Sequence, residues 1–352
     1  MADVLYVGLQ DDDKIVRFSI DAGAGKLAPI GETPAAGGPS GFALSVDRRV
    51  LYIGYRGTPA IESCRIDSTS GALTSLGRVA TEHAPTYLAT DRTGKYLLSA
   101  FYQGGYAAVY PLGSDGAVSG PALDRQNTAP GAHAILTDPS NRFAFVPHIA
   151  RLNDNVLEPP KNNPGPNFIA QFRFDAASGR LSPNTPFKLD PPGPIGPRHL
   201  CLHHTLDLAY FSDEQGCSVT AYKLDRASGT LSAAGTVPSL PPGVTVRNTC
   251  SQIYLTPSGR FLYVGNRGHN SIAGFAVDAA TGRLTPAGHA ATEAVPTAFG
   301  LDSRGAFLFS AGTATGRLAS YRVNGETGVL TPLEIYTAGK RPAAVLAVPV
   351  DR

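Results

Sequence analysis

Four side chains whose types suit proton transfer and anion binding are spread along this chain: His133, Arg198, Glu214 and Arg267. A histidine can carry a proton near neutral pH, because its ordinary pKa lies there. Guanidinium groups grip a carboxylate or phosphate through paired hydrogen bonds, and they stabilise negative charge that develops on an oxygen. A carboxylate among them can activate water or simply balance a positive charge. None of the four is close to another in sequence, so they act together only if a fold gathers them.

Two repeats supply that fold. The segments at 21–27, 67–73, 113–118, 175–181, 225–231, 278–284 and 324–330 each read as polar residues, Gly, one residue, then Leu or Val. Their glycines are Gly25, Gly71, Gly116, Gly179, Gly229, Gly282 and Gly328, at steps of 46, 45, 63, 50, 53 and 46. A second repeat of short aromatic, β-prone runs alternates with them: LYVGLQ at 5–10, LYIGYR at 51–56, LLSAFY at 97–102, AFVPHI at 144–149, AYFSDE at 209–214, LYVGNR at 262–267 and LFSAGT at 308–313. An apolar run precedes most of the aromatic runs, and another strand with a Gly turn follows. Four strands per unit at this period predict an all-β chain, a β-propeller with seven four-stranded blades. Residues 4–9 have no first strand before them and 342–348 have no second strand after them, so the two ends are expected to pair in one blade and close the ring. The whole of 1–352 then reads as one propeller domain, although length alone would suggest two.

In a blade, the innermost strand enters and the second strand leaves at the same mouth of the central channel. Aligning the repeats places Thr86, His133, Arg198, Ser251 and Thr297 at the entrances. The exits carry Gln10, Arg56, Tyr102, Ile149, Glu214, Arg267 and Thr313. Most are small or neutral. Three adjacent blades instead contribute His133, then Arg198 with Glu214, then Arg267, and convergent polar groups at a cavity mouth form the default site. A bland reading stands beside this one: a charge at a channel mouth is usually solvated, and Glu214 could merely neutralise Arg198.

Composition excludes several classes. The formal charge is +2 with scattered Lys and Arg, which gives no basis for nucleic-acid or membrane attraction. No apolar run is long enough to cross a bilayer. Cys64, Cys201, Cys217 and Cys250 lack metal or disulfide spacing and read as free thiols of a cytoplasmic protein. No carboxylate cluster suits calcium, adjacent His203 and His204 would face opposite sides of a strand, and no metal or other cofactor is expected. DAGAGKL lacks the phosphate-loop spacing, and G-x-S-x-G is absent.

The run TPSGRFLYVGNRGHNSIAGFAVDAATGRLTP at 256–286, PRH at 197–199, AH at 132–133 and the strand ending in Glu214 resemble the lactonase family of seven-bladed propellers, which includes bacterial 6-phosphogluconolactonase and fungal carboxy-cis,cis-muconate cyclase. The resemblance covers essentially the whole chain. It implies metal-free opening or closing of a lactone ring, with His133, Arg198, Glu214 and Arg267 as the site. Arg198 and Arg267 are expected to hold the substrate's anionic group. His133 is favoured over Glu214 as proton carrier. His199 and Asn266, from the two most specific segments, and His148, which ends a strand beside Ile149, are further substrate-binding candidates. The partner implied is a small anionic lactone or muconate-like molecule, with a monomer compatible. Lactone hydrolysis leads, a carboxymuconate cycloisomerase is the alternative, and a protein-interaction platform is the third reading. The chain departs from the repeat at about 151–168, RLNDNVLEPPKNNPGPNF, an insertion in the fourth second-to-third-strand connection. That segment is either an elaborated surface loop or a cover over the site.

Overall fold

The computed structural model describes residues 2–351. They form seven four-stranded antiparallel sheets and no helix, so no helix among them is long and apolar enough to cross a membrane. Numbering blades by their second strands, blade 1 pairs Pro342–Val350 with Ala2–Leu9, followed by Lys14–Ile20 and Leu27–Pro34. The ends of the chain close the ring in one sheet, in a ladder from Ala2 opposite Val350 to Leu9 opposite Pro342.

The two sequence repeats meet between blades. The Tyr6 hydroxyl of blade 1 donates to the Gly71 carbonyl of blade 2 at 2.7 Å. Tyr52 does the same to Gly116 at 2.9 Å, Tyr210 to Gly282 at 2.6 Å and Tyr263 to Gly328 at 2.7 Å. Each aromatic strand thus seats its ring against the turn of the next blade. Glycine is required there twice over: Gly229 has φ 70°, and a β-carbon on it would lie 2.0 Å from the Phe143 ring. The rest of the core is apolar packing between neighbouring sheets, such as Leu98 and Ala100 of blade 3 against Val146, Ala170 and Phe172 of blade 4. Full burial of a side chain such as Phe172 contributes about 1.5–3 kcal/mol.

Besides the shifts that recur between third and fourth strands, such as Arg17/Phe18 and Ser63/Cys64, a second set lies at one end of the first strands. The pairing shifts register between Pro39 and Gly41, between Pro197 and His199, and between Pro296 and Ala298. The extra residue in each is Ser40, Arg198 or Thr297. A β-bulge re-aims the side chain of its extra residue, and here all three border the central cavity.

Candidate active site

The cavity at this mouth has a volume of about 1330 Å³. All seven second-strand exits line it: Gln10, Arg56, Tyr102, Ile149, Glu214, Arg267 and Thr313. At the entrances, Thr86, His133, Arg198 and Thr297 line it as expected. Ser251 does not. The register shift between Cys250 and Ile253 spans two residues, turning Gln252 to the cavity and the Ser251 hydroxyl to the Pro296 carbonyl at 2.7 Å.

His133, Arg198, Glu214 and Arg267 come together. Arg198 sits on its bulge in blade 5, and Glu214 directly follows the strand paired to it. Arg267 follows the second strand of blade 6. One Glu214 oxygen lies 3.0 Å from Arg198 Nε, and the other 2.7 Å from Arg267 Nη2. Arg267 Nη2 also donates to the Cys250 carbonyl at 3.1 Å. Arg198 is only 5 % exposed and Glu214 3 %. The Arg198–Glu214 contact is an ion pair without hydrogen-bond alignment, and buried Arg198 Nη1 has no hydrogen-bond partner either. That nitrogen is a donor held in place with its hydrogen-bonding capacity unused.

Two imidazoles flank the ion cluster. The His133 ring lies edge-on to His199 at 5.1 Å and to Tyr102 at 5.7 Å, and His199 is edge-on to Tyr87 at 5.0 Å. Burial, and next the Arg198 charge, hold His133 well below the ordinary histidine pKa. Burial followed by Arg198 and Arg267 does the same to His199. Both rings are therefore neutral at pH 7. His133 Nδ1 and His199 Nε2 are buried without partners. Burial and then Arg267 lower the Arg198 pKa to about 10, against the pull of Glu214, so at pH 7 it keeps its charge.

His199 thus joins the site, whereas His148 and Asn266 do not. Successive strand residues face opposite ways, and it is their neighbours Ile149 and Arg267 that reach the cavity. His148 is buried, stacked on Phe168 at 4.2 Å, with Nε2 2.9 Å from the Thr128 hydroxyl. Burial pushes its pKa down to about 3. Buried Asn266 donates to the Ser239 carbonyl at 2.8 Å and accepts from Ser239 Oγ at 2.8 Å and from Asn248 Nδ2 at 3.1 Å. It anchors the 239–249 connection.

The segment between Phe143–His148 and Phe168–Asp175 places Asn153–Glu158 and Lys161 on the cavity wall. The Asn153 amide donates to the Tyr102 hydroxyl at 2.7 Å. From the opposite connection Arg247 pairs with Asp154 at 2.5 Å and donates to the Glu158 carbonyl. The repeat alignment assigned no residue to this strap, because Arg247 lies in a blade-to-blade connection rather than a strand. Tyr87 and Arg341, which the repeat alignment does not mark, also border the cavity.

Among the described residues no three His, Cys, Asp or Glu side chains are grouped as a metal site would require. Cys64 and Cys250 are buried and free, while Cys201 and Cys217 are partly exposed and free.

A model of the family described as "Lactonase, 7-bladed beta-propeller" matches residues 4–347. The 6-phosphogluconolactonase of Pectobacterium carotovorum is 31% identical over 351 residues, covering 100% of both chains. That of Sodalis glossinidius is 32% identical over 343 residues, covering 97% of this chain and 98% of its own. Among solved structures, the periplasmic gluconolactonase of Pseudomonas aeruginosa superposes with a TM-score of 0.87 over 100% of both chains at 23% identity. A Lactobacillus plantarum protein gives 0.85 at 25% identity, over 99% of this chain and 100% of its own.

Proposed function

This chain belongs to the lactonase family of seven-bladed β-propellers, and on that premise we propose that it hydrolyses a carboxylated or phosphorylated sugar lactone, with 6-phosphogluconolactone, the substrate its relatives are named for, as first candidate. The observation that carries this reading is the largely buried Arg198–Glu214–Arg267 cluster beside two neutral histidines. With both oxygens of Glu214 paired, its role is to fix the guanidiniums rather than to take a proton. The Arg198 guanidinium, which lines the cavity, then polarises the lactone carbonyl and stabilises the oxyanion. Neutral His133 accepts a proton from water as the water oxygen bonds to the carbonyl carbon. The ring C–O bond breaks as the intermediate collapses, and His133 returns the proton to the departing alkoxide. The product is a hydroxy acid, which balances one lactone and one water, and its carboxyl group then releases a proton to solvent. Activation comes from guanidinium charge, so the scheme calls on no metal.

Ring closure of a muconate has no support among these relatives, whose names are those of lactonases. An interaction platform fits less well than a site, because the unusual charges face the cavity. The strap at 153–158 is read as a cover that selects substrates by size, supported by its ties to Tyr102 and Arg247. Cytoplasmic placement is proposed from four unpaired thiols. The test is a panel of sugar lactones and muconolactones offered to the folded protein. Hydrolysis above the buffer rate is expected for the sugar-acid lactones, and none above it would overturn the reading.

A further inference from the structure

The cavity wall changes character at the junction of blades 1 and 2, which in a ring of seven faces blade 5. Arg56 follows the second strand of blade 2, Val50–Tyr55, and Arg341 immediately precedes the closing strand Pro342–Val350 of blade 1. Both border the cavity. Their backbones are linked through one small cluster: Arg56 N donates to the Gly38 carbonyl at 2.9 Å, Gly38 packs on Gln10, and Gln10 N donates to the Arg341 carbonyl at 3.0 Å. Among the described residues neither guanidinium forms an ion pair or a side-chain hydrogen bond. Asp11 and Asp12 border the cavity nearby, and Asp12 is turned to the Lys340 amide at 2.7 Å. Arg341 also holds φ 51°, in the left-handed region that a side chain rarely adopts and that clusters at functional positions. Partial loss of water and then the facing Arg341 charge lower the pKa of Arg56.

Two unpaired cations held side by side are matched by one ligand of high charge density. A phosphate monoester carries about −1.5 to −2 at pH 7, where a carboxylate carries one charge, and its oxygens accept from two guanidiniums at once. Arg198 and Arg267 already share the charge of Glu214, so a second anionic group finds its unneutralised partners on this side. We propose that Arg56 and Arg341 form the subsite for the phosphate of a phosphorylated lactone, whose ring carbonyl lies at Arg198. Tyr102, within electrostatic reach of both Arg56 and the Arg198–Glu214 pair, marks the span between them.

The subsite rests on the lactonase reading, and two measurements separate the fates of the two. The first is the ratio of kcat/KM for gluconolactone with and without a 6-phosphate. Arg56→Gln and Arg341→Gln should each lower that ratio by about tenfold or more, the loss of one charge-assisted hydrogen bond. R56K and R341K should recover part of it. An unchanged ratio in the double variant overturns the subsite while leaving the lactonase standing. The second is calorimetric titration of the full chain with inorganic phosphate. Binding by the native protein that is lost in R56Q/R341Q supports the subsite even if no lactone is turned over. Equal binding by both proteins, or none by the native one, overturns it.

Discussion

The two sides of the channel mouth use the same residue type in opposite ways. At blades 5 and 6, Arg198 is buried, Arg267 is mostly so, and the two share one carboxylate. At the junction of blades 1 and 2, Arg56 and Arg341 are exposed and unshared. A buried guanidinium loses its hydration and survives only with a partner, but there its field is strong and its position is set before substrate arrives. An exposed one keeps more of its water and is screened by salt, so it suits capture better than activation. On the proposed scheme, burial marks the side that would do chemistry, and exposure the side that would do recognition.

Removing Glu214 should have the largest effect. Glu214→Gln leaves buried Arg198 and mostly buried Arg267 facing each other, and breaking a buried pair from one side costs about 3–5 kcal/mol. Both Tm and the catalysed rate should fall sharply. A variant that kept both would mean the buried side is no more organised than the exposed one. His133→Ala tests the same side without disturbing charge. It should lower kcat by about 10²–10⁴, the usual contribution of a positioned acid–base group, with a much smaller change in KM. Loss confined to KM would reassign His133 to binding.

Arg247→Ala moves to the rim, where the pair is 30 % exposed at Arg247 but only 6 % at Asp154, so its loss should fall between the about 0.2–1 kcal/mol of exposed pairs and the about 3–5 kcal/mol of buried ones. Tm should fall less than in Glu214→Gln, while the preference between small and bulky lactones shifts as the 153–158 strap comes loose. Identical relative rates across such a panel would remove the strap from the specificity account. The pH profile should show the smallest effect of all. A histidine of ordinary pKa loses its basic form as pH falls through about 6.5. With the His133 pKa lowered, more acid is needed to protonate it, so kcat/KM should stay flat through 6.5 and fall only at lower pH. An inflection at 6.5 would place the working base outside the buried cluster.

Much of this architecture was legible because blades repeat. The Gly25-to-Gly328 spacing predicted seven units, and aligned aromatic runs predicted every exit residue that lines the cavity. What a repeat leaves open is which way a side chain points when one residue separates two faces. His148 and Asn266 turn away from the cavity by that single step, and alternation with Ile149 and Arg267 decides both. Ser251 was lost to a register shift that sequence does not announce. His133 was expected to titrate near neutrality, and only three-dimensional burial beside Arg198 moves it. Arg341 escaped because the alignment left the entrance of blade 1 blank, and Arg247 because connections between blades do not repeat.

The seam in blade 1 has a thermodynamic consequence. Arg341 is carried on the lead-in to the closing strand, so it stands beside Arg56 only while Pro342–Val350 is zipped onto Ala2–Leu9. A ligand held by both arginines binds the closed ring and not the opened one. By linkage it must then act as a clasp, adding about 2.7 kcal/mol against unzipping at one hundred times its dissociation constant. Hydrogen exchange at the ladder amides of Pro342–Val350 would register this as slower opening when phosphate is present, an influence of substrate on the durability of the ring itself.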